Sequence, residues 1–171
     1  MDEETARIIS EMRHEIDKLK AIEMPTRGCV ARYSTNAGQS IANTTTTIVD
    51  FEDVTFDPSS AVTVGAAWKF TCPTGKAGYY AVHAAVMFAS TATWAAGEVA
   101  QLYLYKNGAA YSVLLRKTQE SATTLYNMLH GSGVVSLAAG DYIDIRVSHN
   151  SGAALALHTD GLNNHVAISR I

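Results

Sequence analysis

Residues 99–117 are VAQLYLYKNGAAYSVLLRK, two runs of aliphatic and tyrosine residues on either side of Asn107-Gly108. An Asn-Gly pair in this setting is the strongest short-range signal for a type I′ hairpin, because both central residues of that turn need a positive φ. Farther along, residues 142–148 are YIDIRVS, in which aliphatic and polar side chains alternate. This alternation predicts a strand with one face in a core and the other in water. Both stretches indicate antiparallel β-structure.

The remainder of residues 29–171 has the same character, with short β-rich runs between turn residues and no sustained helical period. The sequence therefore predicts an all-β domain. One run, residues 79–88 (YYAVHAAVMF), is apolar on both faces, which a strand of a two-sheet domain needs only when its outer face is also covered. The predicted strands are Cys29–Tyr33, Thr46–Phe51, Trp68–Cys72, Tyr79–Ala89, Val99–Tyr105, Tyr111–Lys117, Thr124–Leu129, Val134–Leu137, Tyr142–Ser148 and His165–Ile171.

Composition limits the class of protein. The chain has 171 residues, enough for one domain with a short extension. Hydrophobic residues are 47% and charged residues 17% of the chain, which indicates a folded core. A net charge of -3 argues against a nucleic-acid partner, and no strongly apolar stretch approaches the roughly 20 residues that span a bilayer. The two cysteines, Cys29 and Cys72, have no CxxC spacing and are expected to be unpaired.

The first 24 residues differ from the rest, with seven acidic and four basic residues against nine of each in the remainder. This segment has the heptad spacing of a coiled coil, but fewer than three heptads are marginal as an isolated coil. We therefore predict that residues 1–24 form a trimerisation stem held together by the following domain. The alternative is a helix packed on its own domain. Residues 25–28 are the predicted hinge and residues 29–171 the head. The heptad positions that predict the stem are Ile9, Met12, Ile16 and Leu19.

Short motifs follow one another along the head with a recognisable spacing. In this order they resemble the globular heads of the complement component 1q and tumour necrosis factor superfamily, over roughly Ala31 to Ile171. The resemblance implies a ten-stranded jelly-roll β-sandwich that packs as a tight trimer, often behind a collagen-like or coiled-coil stem. The motifs are Phe70-Thr71-Cys72-Pro73, Gly78-Tyr79-Tyr80, Lys106-Asn107-Gly108, Ser132-Gly133-Val134-Val135-Ser136-Leu137 and Gly140-Asp141-Tyr142-Ile143.

The chain also departs from that family. The segment between Phe70 and Gly78 is longer, and Val82 and Ala84 stand where the family usually has aromatic residues. There is no collagen-like Gly-X-Y tract. A short stem, an acidic start unlike a secretion signal and unpaired cysteines look more like the jelly-roll heads of bacteriophage fibres, tail tips and capsid decorations. That analogy predicts a protein made in a host cytoplasm and assembled into a virion.

Residue patterns for catalysis are weak. The chain has no G-x-S-x-G motif, and residues 130–133 (HGSG) lie between two predicted strands, where glycines serve a turn or bulge. Four acidic residues lie in one loop-rich stretch, and their default interpretation is a solvated surface. The alternative is a calcium site, which clustered oxygen ligands permit but no motif indicates. We expect no enzyme activity and no bound cofactor. The acidic residues are Asp50, Glu52, Asp53 and Asp57.

The histidines of the head do not have the close spacing of a local metal site. On the axis of a trimer, however, one histidine becomes three, enough to bind zinc or an anion. His83 is the best candidate because it lies in the strand with two apolar faces, and we place Tyr80 and His83 at the trimer seam. The alternative is a buried, hydrogen-bonded histidine. The five histidines are His83, His130, His149, His158 and His165.

Recognition of a partner is predicted at loops far from the stem, where a rigid scaffold displays its binding residues. The loop around Trp94 is a candidate because a lone tryptophan among small residues suits an exposed binding tip. The alternative is that Trp94 caps its own sandwich or lies at a subunit seam. Two further turns carry amide and hydroxyl groups suited to sugars. The candidate binding residues are Trp94, His149, Asn150, Asp160, Asn163 and Asn164.

These observations predict a homotrimeric, non-enzymatic virion structural or adhesion protein. Its head would bind a host-surface glycan, a protein receptor or a neighbouring virion protein, with avidity from three copies. The alternatives are a secreted or surface bacterial ligand-binding module and a glycan-active enzyme.

Overall fold

A computed structural model describes residues 5, 7, 11–13, 29–89, 91–124 and 126–171. Near the N-terminus, the described residues are helical, and Arg7 forms an i,i+4 ion pair with Glu11 at 2.9 Å. Met12 is helical and exposed. The stem and the hinge stay predictions, because most of their residues lie outside the described ones, among them Ile9, Ile16, Leu19 and residues 25–28.

From Val30 onward the described chain is built from strands and loops, which confirms the all-β prediction. It has fifteen strand segments rather than ten, because several two-residue strands were not recognised from the sequence. The strands are β1 Val30–Ser34, β2 Ser40–Ile41, β3 Thr47–Ile48, β4 Asp53–Phe56, β5 Val62–Thr63, β6 Lys69–Thr71, β7 Gly78–Phe88, β8 Thr93–Trp94, β9 Val99–Lys106, β10 Ala109–Thr118, β11 Thr123–Thr124, β12 Asn127–Leu137, β13 Tyr142–His149, β14 Leu155–Ala156 and β15 His165–Arg170.

Two antiparallel sheets form a sandwich. The first has the strand order β12-β7-β15-β1-β4, and the second has the order β10-β9-β13-β6-β5 with β3 paired to β13. Two small ribbons, β8 with β11 and β2 with β14, complete the described strands. Strands that are neighbours in a sheet are mostly far apart in sequence, as in a jelly roll, so the fold depends on long-range pairing.

The core lies between the two sheets and follows from the alternation of apolar residues along the strands. In β9 every second residue is buried, and in β13 Ile143, Ile145 and Val147 are buried as the sequence predicts. Asp144, predicted to face water, is buried as well, and Arg146 Nε donates to its Oδ1 at 2.6 Å. Trp68 is at the centre, completely buried, with its ring edge-on to Phe51 at 5.2 Å and to Tyr33 at 6.3 Å. Each buried aromatic side chain removes a large apolar area from water, which is the main favourable term in folding.

The turn between β9 and β10 is the predicted type I′ hairpin. Asn107 and Gly108 have φ values of 51° and 78°. The Asn107 side chain also joins this turn to the next one along the same end of the sandwich: its Nδ2 donates to Asp141 Oδ1 at 2.9 Å, and its Oδ1 accepts the N–H of Tyr142 at 2.9 Å. Asn107 therefore adopts the backbone conformation that the turn requires and also forms two side-chain hydrogen bonds.

Replacing Asn107 by alanine is expected to lower the free energy of unfolding by about 2 kcal/mol, because alanine disfavours the left-handed conformation and removes both side-chain hydrogen bonds. Urea unfolding followed by circular dichroism measures the loss. Asn107→Gly is the control, since glycine keeps the backbone conformation and loses only the hydrogen bonds. Its loss in the free energy of unfolding should therefore be smaller than that of Asn107→Ala. Equal unfolding of Asn107→Ala and the unchanged protein would contradict this account of the turn.

One predicted turn is wrong. Residues 130–133 do not separate two strands, because β12 runs without a break and pairs with β7 along its whole length, from Asn127 opposite Phe88 to Leu137 opposite Gly78. Glycines usually weaken the interior of a strand, and here they accommodate the close approach of Leu114 on β10.

Candidate functional site

The register of the strands places the three predicted recognition loops at one end of the sandwich, which we call the loop end (residues 91–98, 149–152 and 160–164). β7 ends there at Phe88, and β15 begins there, with His165 opposite Ala85. The opposite end carries the Asn107-Gly108 turn and Cys29, whose carbonyl accepts the N–H of Arg170 at 3.0 Å. The described head therefore begins at the end away from these loops.

Trp94 is not an exposed tip, so that prediction is wrong. Its side chain is completely buried, and Phe88 and His149 pack edge-on against it at 5.3 Å and 5.9 Å between ring centroids. It lies in β8, which pairs with β11. The alternative interpretation, in which Trp94 caps the end of its own sandwich, describes the structure. The small residues beside it let the ribbon fold over the core and carry the indole inward.

His149 and Asn164 are also buried, with 3% and 0% of their surface exposed. His149 Nε2 donates to the carbonyl of Ile41 at 3.0 Å, which leaves Nδ1 to accept the hydroxyl of Ser151 at 2.9 Å. Asn164 Oδ1 accepts the N–H of Met87 at 2.8 Å. Both side chains hold the loops in place. The prediction that they face a ligand is wrong for the described protomer.

The other three candidates lie nearer the surface. Asn150 is exposed, and its Oδ1 accepts the N–H of Val99 at 2.6 Å. Asp160 is partly exposed and shapes its own turn, because its carboxylate accepts the N–H of Leu162 and the Nδ2 of Asn163, both at 2.9 Å. Asn163 is partly exposed. These groups fix the shape of the loop end, and their remaining polar atoms border the solvent.

Two apolar side chains at the loop end were missed from the sequence. Leu162 is 79% exposed, at the tip of the polar 160–164 turn. Tyr126 is 52% exposed and stands edge-on to His158, with 4.9 Å between ring centroids. A leucine in a turn of glycine and asparagine, with no periodicity that would bury it, was the available signal. The exposed aromatic ring at this end is therefore Tyr126, not Trp94.

The outer side of the first sheet is exposed around Tyr79, His83 and Val134, whereas Ala85 and Met87 nearer the loop end are buried. We call this side the open face (outward side chains of β12, β7, β15, β1 and β4). Tyr80, predicted to lie at a trimer seam beside His83, is not on this face. Tyr80 points inward, is completely buried, and donates its hydroxyl to the carbonyl of Lys76 at 2.7 Å. Burial raises its pKa. Tyr79 takes the outward position and is exposed.

His83 lies on the open face and is exposed. Its Nδ1 is 3.0 Å from Ser132 Oγ, and its ring is 5.7 Å from that of His165 on the neighbouring strand. His165 Nδ1 donates to the carbonyl of Leu162 at 3.0 Å. Burial, with smaller contributions from the Arg32 cation and His83, lowers the pKa of His165. The prediction that His83 lies at a trimer seam stays a prediction.

A shallow apolar groove of about 480 Å³ runs across the open face. Its walls come from all five strands of the first sheet, and exposed Val134 and Phe56 stand on either side of it. Soluble proteins rarely leave a continuous apolar surface of this kind uncovered unless it binds something. The residues that line the groove include Val30, Phe56, Ala81, His83, Val134 and Ala167.

The acidic stretch serves the fold. Asp57 Oδ2 accepts the hydroxyl of Tyr33 at 3.1 Å and the N–H of Val62 at 3.0 Å. Burial first, and then the Asp57 charge, raise the pKa of Tyr33 to about 12. Glu52 and Asp53 are exposed. Among the described residues, no group of three or more His, Cys, Asp or Glu side chains is arranged to hold a metal ion.

Ser132 and His83 form a hydrogen-bonded pair, which raises the question of nucleophilic catalysis. A serine nucleophile needs a base that is itself oriented by a third group, usually a carboxylate. In the part of the chain that the structure describes, no carboxylate hydrogen-bonds to His83. The pair also lies on an open sheet face rather than in a cleft. Its geometry suits polar contact across a surface better than catalysis.

The two packed sheets define a class of fold, the jelly-roll β-sandwich. No family model matches the sequence, and no curated protein sequence matches it. Among solved structures, the chain is similar to murine APRIL, with 15% identity over 83% of this chain and 98% of that one and a TM-score of 0.55. Eiger TNF from S. frugiperda is 12% identical over 85% of this chain and 93% of that one, with a TM-score of 0.59. The globular domain of zebrafish complement 1qA is 16% identical over 83% of this chain and 94% of that one, with a TM-score of 0.55.

At these identities the likeness shows the fold alone. It confirms the tumour necrosis factor and complement 1q type of jelly roll that the sequence motifs predicted. Within the described residues, no helix has the length and apolar character needed to cross a membrane.

Proposed function

We propose that this protein is a homotrimeric, non-enzymatic recognition head of a virion. It assembles through the open face and binds a host-surface glycan or protein receptor, or a neighbouring virion protein, at the loop end. The observation that carries the proposal is the apolar groove of the open face, which a single protomer leaves in contact with water.

Assembly through the open face is supported by the chain's own connectivity. Val30 belongs both to the groove and to the first residues of the head, which follow the predicted coiled-coil stem after the short predicted hinge. Copies joined by that segment would enter their heads close to one another, at the groove. Closed homo-oligomers bury such surfaces between identical chains. The family resemblance favours three copies.

Recognition at the loop end is supported by the direction of the chain. The head begins at the opposite end, so the loops are free to meet a partner. Tyr126 and Leu162 offer exposed apolar contact beside the polar groups of Asn150 and Asp160. Rigid aromatic side chains with nearby polar groups are suited to both glycan and protein surfaces.

A virion setting is supported by the two cysteines. Cys29 and Cys72 are free and buried, 2% and 1% exposed. Buried free thiols suit a protein made in a reducing cytoplasm, where disulfides are rare. If the virion proposal is right, the protein co-purifies with particles; a protein found only in the culture medium or the cell envelope would contradict it.

Replacing Val134 by lysine is the test of assembly. The trimer of about 55 kDa, three times the 18.3 kDa of one chain, is expected to separate into protomers, because a charge would be buried in an apolar contact. Val113→Lys is the matched control: Val134 is 54% and Val113 is 51% exposed, but Val113 lies on β10, in the other sheet. Sedimentation velocity measures both. A trimer that survives Val134→Lys would contradict assembly through this face.

Recognition is tested by Tyr126→Ala, with Tyr111→Ala as its control. The two tyrosines are 52% and 51% exposed, but Tyr111 follows the turn at the opposite end. Adsorption of the isolated trimer to host cells should fall at least about tenfold for Tyr126→Ala alone, the loss expected when an aromatic residue that dominates an interface is removed. Equal adsorption of both variants would move the contact away from the loop end.

A further inference from the structure

The open face carries an unusual combination of groups for a surface that assembly would bury. The four strands β12, β7, β15 and β1 contain no aspartate or glutamate, and their titratable groups near neutrality are histidines. His83 and His165 are diagonal neighbours, since His165 lies opposite Ala85 and His83 opposite Ala167. The cation of Arg32 acts on His165 from the next strand.

We propose that the His83–His165 pair makes assembly through the open face dependent on pH, favouring the trimer near neutrality and separate protomers in acid. This inference rests on the proposed function, because it requires the open face to be buried between copies. It adds a regulation that assembly alone does not imply.

The first step is the cost of protonating both rings. With 5.7 Å between ring centroids, two imidazolium ions would repel each other, and the one on His165 would also meet the positive charge of Arg32. In a separate protomer, water screens this repulsion, since His83 is exposed. In a buried contact the same charges lose that water. Histidines buried at an interface therefore favour the neutral form.

The second step is the charge that surrounds the pair. On β12, His130 points to the same side and adds a third titratable group. On β4, Asp53 lies opposite Ser34 and is the acidic residue of the first sheet. In the adjoining loop, Asp160 already accepts two hydrogen bonds within its turn, and His158 packs against Tyr126. Among these neighbours, the carboxylates that could neutralise the protonated histidines therefore lie at the rim of the open face.

The direction of the effect follows from proton binding. If burial lowers the pKa of these imidazoles in the trimer, separate protomers bind more protons than the trimer does. The trimer is then stable above the pKa of the free protomer and loses stability as pH falls below it. Each imidazole that must stay neutral changes the assembly constant by up to about tenfold per pH unit. Two histidines in each of three chains make the transition steep.

The test is sedimentation velocity on the full chain at about pH 7.5 and about pH 5.5, with circular dichroism at both values to follow folding. The unchanged protein should be a trimer at the higher pH and a folded protomer at the lower, with at least about a hundredfold rise in its dissociation constant. The double variant His83→Asn, His165→Asn should stay a trimer at both, because the asparagine amide can take the hydrogen bond of each Nδ1 without accepting a proton.

The outcomes are distinguishable. Protomers at pH 7.5 would overturn the proposed assembly itself. A trimer that persists equally at pH 5.5 would overturn the pH inference alone, and so would a double variant that still separates in acid. His130→Asn is the matched single-histidine control on the same face, and an equal shift from it would overturn the assignment to the pair. Unfolding of the unchanged protein at pH 5.5 would show denaturation instead of separation and would also overturn the inference.

Discussion

Replacing Trp94 by alanine is expected to lower the free energy of unfolding by about 3–5 kcal/mol, the usual loss for a buried tryptophan. The indole is completely buried and forms the junction between Phe88 of the first sheet and His149 of the second. Its removal leaves a cavity under the β8–β11 ribbon, which has two residues in each strand. Urea unfolding measures the loss.

Trp94→Phe separates packing from direct recognition. Trp94 Nε1 is buried without a hydrogen-bond partner among the described residues, so phenylalanine keeps most of the apolar contact and loses no hydrogen bond. We expect it to cost about 2 kcal/mol, less than Trp94→Ala because the cavity is smaller, and to leave adsorption unchanged. Loss of adsorption by Trp94→Phe with an intact trimer and unchanged stability would contradict the packing role and restore Trp94 as a binding residue.

The hairpin was predictable because its cause is local. Asn107 and Gly108 determine the turn by their own backbone preferences, and the alternation in β13 determines which of its faces is buried. Neither property needs information about distant residues. The arrangement of the two sheets was predicted from the resemblance of the sequence motifs to a known family.

The buried polar side chains that hold the loop end, His149 and Asn164, were not predictable because their hydrogen-bond partners are distant in the sequence. His149 bonds to Ile41, 108 residues away, and Asn164 bonds to Met87, 77 residues away. A histidine or asparagine in a turn looks the same in the sequence whether it meets water or a distant carbonyl. Burial of polar side chains depends on partners that only the folded chain brings together.

Tyr80 shows a different limit. The strand was predicted nearly to its ends, but both of its faces are apolar, so the sequence could not say which tyrosine points outward. A shift of one residue moves every side chain of a strand to the other face. Tyr79 and His83 share the outward face, and the prediction of Tyr80 beside His83 joined residues of opposite faces.

Gly131→Ala should be the most damaging single-methyl change in the first sheet, with a loss of about 3 kcal/mol in the free energy of unfolding. A Cβ at Gly131 would lie 2.5 Å from the carbonyl oxygen of Leu114 and 2.9 Å from its carbonyl carbon and Cβ. The obstacle is backbone, so relief requires β10 to move away from β12, where the two sheets meet at their edges. This strain far exceeds the gain of several tenths of a kcal/mol that alanine usually brings to a strand.

Gly133→Ala is the control, two residues along the same strand and facing the same side. There the nearest atom is Leu114 Cδ2 at 3.1 Å, the end of a side chain that can rotate, so we expect a loss below about 1 kcal/mol. Urea unfolding of both variants decides between close backbone approach and a general need for flexibility in this strand. Equal losses would show that β10 does not press on Gly131, and the glycines of β12 would need another explanation.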